Sequence, residues 1–127
     1  MDLGLKDKVA LVTAATGGLG FAIARELAAE GATVILSGRS AEKVVKSAAE
    51  IGAATGNKPH GFRADLSVAD DVEALVQDAQ ARHGRIDILI NNSGGPPTAP
   101  FTELTDGQWL DAFNAKFLPQ VRLARAV

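Results

Sequence analysis

Four short apolar runs punctuate the chain at nearly even intervals, and a stretch with helical spacing follows each one. Val9–Thr13 (VALVT), Thr33–Ser37 (TVILS) and Ile86–Ile90 (IDILI) are mainly β-branched or apolar and flanked by turn residues. Strands buried on both faces of a parallel sheet read this way. His60–Ala64 (HGFRA) is less apolar and is placed as a strand by its position between two helices. Starts near residues 9, 33, 60 and 86 leave room for one crossover helix after each strand. The pattern is βαβαβαβα, an α/β fold with a doubly wound, Rossmann-type parallel sheet of about four strands and flanking helices.

The helices carry their own boundary signals. Gly20–Glu30 has Ile23 and Leu27 one turn apart and stops at Gly31. Ser40 is a candidate N-cap for a helix that runs out near Gly52–Gly56. Ser67 with Asp70 resembles a capping box, and behind it Val68, Val72, Leu75, Val76 and Ala79 form a one-sided stripe ending near Gly84. Thr105 and Gln108 make a second box before the last helical stretch, where Pro119 predicts a kink or a split. Asn92–Glu103, with two glycines followed by two prolines, is the longest loop. No repeat or linker divides the 127 residues, so the expectation is one dinucleotide-binding domain, cut off within its C-terminal helix.

Composition narrows the function classes. A net charge of −2 gives no electrostatic basis for nucleic acid or an anionic membrane as partner. No apolar run is long enough to span a bilayer, and the N-terminus does not read as a signal peptide. The chain has no cysteine, so neither a disulfide framework nor a thiolate metal site is expected, and a cytoplasmic location is the default. His60 and His83 stand apart in sequence and read as two surface histidines, so no metal site is expected.

The chemistry lies in the first turn, Leu11–Gly20 (LVTAATGGLG). A glycine pair, Gly18 and Gly20, sits between a strand and a helix. Unpaired N–H groups and the positive end of the helix dipole attract a pyrophosphate, and residues without Cβ let it approach. The alternative is a tight connection with no ligand. The spacing Thr13-Ala14-x-x-x-Gly18-x-Gly20 resembles the T-G-x-x-x-G-x-G turn of the short-chain dehydrogenases/reductases. Asp65-Leu66 after the third strand and Asn91-Asn92-Ser93-Gly94 after the fourth extend the resemblance over essentially the whole chain. Ala14 replaces the first glycine of that turn, which costs little at negative φ and about 1 kcal/mol or more at positive φ.

The resemblance implies a role for each matching position. Thr13, Gly18, Leu19 and Gly20 would form the phosphate turn. Gly38 falls where NAD-binding relatives carry an acid, and Arg39 beside it can pair with a 2′-phosphate, with Ser37 a further donor, so the expected cofactor is NADP. Arg39 also reads as a solvated arginine at a helix start. Asp65 and Leu66 would face the adenine, although Asp65 equally suits a local turn. Asn91, Asn92, Ser93 and Gly94 would line the nicotinamide ribose.

Function follows as an NADP(H)-dependent oxidoreductase acting on a small carbonyl or hydroxyl substrate, similar to the 3-oxoacyl-carrier-protein reductases. The family's proton donor is a tyrosine, four residues before a lysine and helped by a serine, and this chain has no tyrosine. It therefore reads as the cofactor-binding half, with no catalytic residue assigned. The family's catalytic asparagine falls on Lys116, and Asn114 lies about 200° around a regular helix from it. The loop Gly94–Phe101 can line one wall of a substrate pocket. Two other readings stand beside this one, a non-enzymatic dinucleotide-binding module and an α/β interaction domain. Family members are commonly homo-oligomers. Without further strands Ile86–Ile90 forms a sheet edge, which predicts instability or self-association of this piece.

Overall fold

A computed structural model describes residues 1–95 and 97–127. Pro96, within the loop expected at 92–103, lies outside the described residues. Four strands, β1 (Val9–Val12), β2 (Thr33–Gly38), β3 (His60–Arg63) and β4 (Ile88–Ile90), pair in parallel in the order β3-β2-β1-β4. Val9 stands opposite Thr33, Ala10 opposite Ile88, and Ile35 opposite His60. The chain therefore winds outward from β1 in one direction and then returns to β1's other side with β4.

The helices are α1 (Gly18–Ala29), α2 (Ala41–Thr55), α3 (Ala69–His83), α4 (Asp106–Ala112) and α5 (Leu118–Ala126). Alternation along the strands divides the core. Val9, Leu11 and Ile35 pack with Val72, Leu75, Val76 and Ala79 of α3 and with Leu123 of α5. Val12, Val34 and Leu36 pack on the opposite face with Ala24, Ala28, Val44 and Ile51 of α1 and α2. Both faces are covered, as a doubly wound sheet requires. β4 is an edge strand, as its sequence position predicts.

Two of the three caps form as expected. Ser40 Oγ accepts from Lys43 N at 3.3 Å. Thr105 Oγ1 accepts from Gln108 N while Gln108 Oε1 accepts from Thr105 N, a complete capping box. The third does not form. α3 begins at Ala69 with Val68 as its N-cap, because Ser67 turns back to donate to Asp65.

The C-terminal stretch is more divided than one kinked helix. A 3₁₀ turn at Phe101–Glu103 precedes α4, and a π-helical turn at Phe113–Phe117 joins α4 to α5. The helix restarts at Leu118, so Pro119 sits in a first turn, where its missing N–H is tolerated. Trp109, Leu110, Phe113 and Phe117 present an exposed apolar face on this segment.

Candidate functional site

The C-terminal ends of the strands surround a cleft of about 370 Å³. It lies where the strand order reverses between β1 and β4, the usual ligand position in open α/β sheets. The turn after β1 supplies Ala14, Thr16 and Gly17 to its wall, and the end of β2 supplies Gly38 and Arg39. The segment after β3 adds Ala64, Asp65, Leu66 and Ser67; that after β4 adds Ser93, Gly94 and Gly95. Ala115 of the π-turn closes one side.

The β1 turn is held from several directions. Ala15 N donates to Ser37 O at 2.9 Å, tying it to the end of β2. Asn92 N donates to Thr13 Oγ1 at 3.0 Å, tying β1 to the segment after β4. Asn92 Nδ2 donates to Ala14 O at 3.3 Å. Gly18 opens α1 with φ of +56°, a conformation that glycine adopts without a Cβ penalty. A Cβ on Gly20 would collide with Ala14 O and stand 2.9 Å from Asn92 Nδ2, so helix and turn meet there backbone to backbone. No side chain caps α1, and no acidic residue occupies its first turn. Its N-terminal amides and dipole are thus left to an anion.

Ala14 has φ of +48°, so the costly branch of the sequence expectation applies. The left-handed conformation costs a residue with a side chain about 1–2 kcal/mol. Alanine's lower entropy in the unfolded chain offsets about 0.4–1 kcal/mol of that. Ala14→Gly is therefore expected to raise stability by about 0.5–1 kcal/mol in urea unfolding, and a loss of stability would contradict this account.

The expected site residues divide by position. Arg39, Asp65, Leu66, Ser93 and Gly94 reach the cleft. Thr13, Gly18, Gly20 and Ser37 do not line it; Thr13 and Ser37 are buried, with Thr13 joining β1 to the segment after β4 and the Ser37 hydroxyl lacking a partner among the described residues. Leu19 points its side chain to solvent at 71 % exposure, leaving its backbone in the first turn of α1. Asn91 Nδ2 donates to Gln120 O at 2.8 Å, fastening the segment after β4 to α5. Thr16, Gly17, Ala64 and Ala115 line the cleft without having been expected there, joined by Ser67, read from sequence as a cap, and by Gly95 of the loop expected to line a pocket wall. Thr16, Gly17 and Ala64 lie within or beside the motifs, whereas Ala115 arrives through the π-turn, which leaves no sequence signal.

Lys116 donates to Ser93 O at 3.3 Å and so reaches the cleft wall from the same turn. Neither it nor Asn114 acquires a reacting partner. The two histidines are not isolated in space. Their ring centres are 6.1 Å apart, and His60 Nε2 lies 3.0 Å from Asp78 Oδ2. Among the described residues no group of three or more potential ligands can hold a metal.

Charge at the cleft is set by Asp65, Arg39 and Arg63. Ser67 Oγ and Ser67 N donate to Asp65 Oδ1 at 2.7 and 3.0 Å and hold its carboxyl below the ordinary value of 3.8. Partial burial opposes this, while Arg39 and Arg63 reinforce it. The turn and the cleft roles therefore coexist, since Oδ1 takes the serine and Oδ2 remains. Arg39 makes no salt bridge among the described residues. A depressed folded pKa contributes stability above the unfolded value, which is lost as pH falls through the folded one. Ser67→Ala should move the Asp65 titration, followed by carboxyl NMR, to higher pH; an unmoved titration would remove Ser67 as the cause.

Residues 8–127 match the profile of the family described as short chain dehydrogenase. The chain belongs to this family. It is 38% identical over 125 residues to an oxidoreductase of Bacillus subtilis, covering 98% of this chain and 46% of that protein. It is 40% identical over 121 residues to nodulation protein G of a Rhizobium species, covering 95% and 48%. Among solved structures, L-sorbose reductase from Gluconobacter frateurii, complexed with NADPH and L-sorbose, superposes with a TM-score of 0.93 at 31% identity. That likeness covers 100% of this chain and 48% of the reductase. A metagenomic short-chain oxidoreductase in complex with NADP superposes with a TM-score of 0.87 at 36% identity, covering 96% and 55%. The chain spans about half the length of the curated relatives it matches. No helix among the described residues is long and apolar enough to cross a membrane.

Proposed function

We propose that residues 1–127 form the dinucleotide-binding part of an NADP(H)-dependent oxidoreductase that interconverts a small carbonyl compound and its alcohol. One observation carries this reading: the cleft runs from Gly17, at the uncapped start of α1, to Arg39, which has no salt bridge among the described residues, beside a glycine where an acid would repel a 2′-phosphate. The NADPH and NADP complexes of the two structural relatives support the same assignment.

The residues present fit such a cofactor. Gly18, Leu19 and Gly20 offer their amides to the pyrophosphate, with Thr13 holding the turn in place. Arg39 takes the 2′-phosphate, and Ser37 supports it through the backbone bond to Ala15. Asp65 and Leu66 meet the adenine end. Ser93 Oγ, buried on the cleft wall without a hydrogen-bond partner among the described residues, and Gly94 serve the nicotinamide ribose, while Asn91 fixes their backbone to α5. A nicotinamide bound here supplies or accepts a hydride. Protonating the developing alkoxide needs an acid; these residues contain no tyrosine, and none of them is assigned that role. The exposed face of Trp109, Leu110, Phe113 and Phe117 supports a homo-oligomeric whole protein. A cytoplasmic location belongs to the same reading.

Fluorescence titration with NADPH and NADH tests it. NADPH should bind at least tenfold more tightly than NADH. Arg39→Ala should remove about 1.5–3 kcal/mol of NADPH affinity, roughly 10- to 150-fold, and leave NADH unchanged. Absence of saturable binding by the folded chain, or equal loss of both nucleotides in Arg39→Ala, would overturn it.

A further inference from the structure

We infer that Lys116 determines substrate class: it equips the wall between the cleft and an adjoining apolar hollow to hold a carbonyl compound that carries a carboxylate on an apolar body. This inference rests on the oxidoreductase reading above and names the substrate class which that reading leaves open. The π-turn stands between two concavities. Ala115 lines the cleft, whereas Phe113, Lys116 and Phe117 line a separate hollow of about 570 Å³ together with Trp109, Leu110 and Ala112. Lys116 joins the two, because its Nζ donates to Ser93 O on the cleft wall at 3.3 Å.

The ammonium is not neutralised where it stands. It makes no salt bridge among the described residues, and a single carbonyl leaves it two further N–H donors. No carboxylate lines the hollow. Asp65, the one carboxylate lining the cleft, follows β3, with β2 and β1 between that strand and β4. The rings of Phe113 and Phe117 are exposed, with centres 5.0 Å apart, and offer the apolar half of the same surface. A neutral apolar ligand seated on them would take water from the ammonium and give it nothing to pair with, whereas a carboxylate supplies a charge-assisted hydrogen bond. The charge is this chain's own feature, since the resemblance places an asparagine at position 116.

Trp109, the single tryptophan of the chain, lies in the wall of the hollow and reports binding by its own fluorescence. Phenylbutyrate and the neutral phenylbutyramide share an apolar body and differ in charge. The full chain should bind phenylbutyrate about fivefold more tightly at low ionic strength, with the advantage shrinking as salt is added. Lys116→Met should bring the acid to the affinity of the amide and leave the amide unchanged, whereas Lys116→Arg should keep the advantage. Lys116 is exposed, so both variants should melt at the parental midpoint. Phe113→Ser should weaken both probes. Equal affinities in the parent chain, or an advantage that survives in Lys116→Met, would overturn the inference. So would Trp109 emission that shifts with chain concentration and answers neither probe, because a second copy then fills the hollow. NADPH titration of the same chain reads the oxidoreductase proposal separately: absent NADPH binding with the acid advantage intact removes that proposal and leaves the acid site standing.

Discussion

Gly20→Ala is expected to destabilise the fold by about 3 kcal/mol and to abolish measurable NADPH binding. The added methyl would collide with Ala14 O, a backbone atom, and crowd Asn92 Nδ2 at 2.9 Å, which is itself bonded to that oxygen. Ala14 sits in a turn pinned by Asn92 and, through its neighbour Ala15, by Ser37. Relief must therefore come from moving α1 away from the turn, which misplaces the amides that would hold a pyrophosphate. For a chain of this size, about 3 kcal/mol lowers the melting midpoint by roughly 10 °C. A differential scanning profile and a NADPH titration check the two halves. Full NADPH affinity in Gly20→Ala would show that the contact between α1 and the turn does not shape the site.

Leu123→Ala is the second large effect, expected at about 3 kcal/mol within the range of about 2–5 for buried leucine truncations. Leu123 is fully buried, and it carries α5 into the core formed by α3 and the adjoining face of the sheet. The loss should appear in the urea midpoint. Trp109→Ala serves as the contrast, because Trp109 is half exposed and belongs to neither core cluster. A similar loss in both variants would mean that the apolar face of α4 is already covered in solution.

Much of this architecture was legible because it depends on local rules. The β1 and β2 runs are buried on both faces, and three consecutive crossovers leave few arrangements other than a parallel sheet. Even β3, read from position alone, spans His60–Arg63 within the expected His60–Ala64. Capping was harder. Ser67 has the right spacing for a box, yet Asp65 two residues earlier offers a charged acceptor and wins its hydroxyl. The left-handed φ of Ala14 could not be read either, since it follows from the way Asn92 and Ser37 hold the turn from other strands. The approach of His60 to His83 likewise depends on where the C-terminal end of α3 meets the start of β3. The cleft's missed residues illustrate the same limit. Motif matching names the positions with distinctive side chains, whereas Gly17, Ala64 and Ala115 line the cleft without one.

The π-turn also sets the phase of the last helix. Trp109 and Leu123 are fourteen residues apart, which on an unbroken α-helix places them about 40° from each other, on one side. The turn at Phe113–Phe117 accommodates one residue beyond the regular count, withdrawing about 100° of rotation. The two side chains then point about 140° apart, which is how Leu123 enters the core while Trp109 faces outward. A single residue of slack thus lets one continuous stretch of chain serve two opposite surfaces, the inner one for cohesion and the outer one for contact.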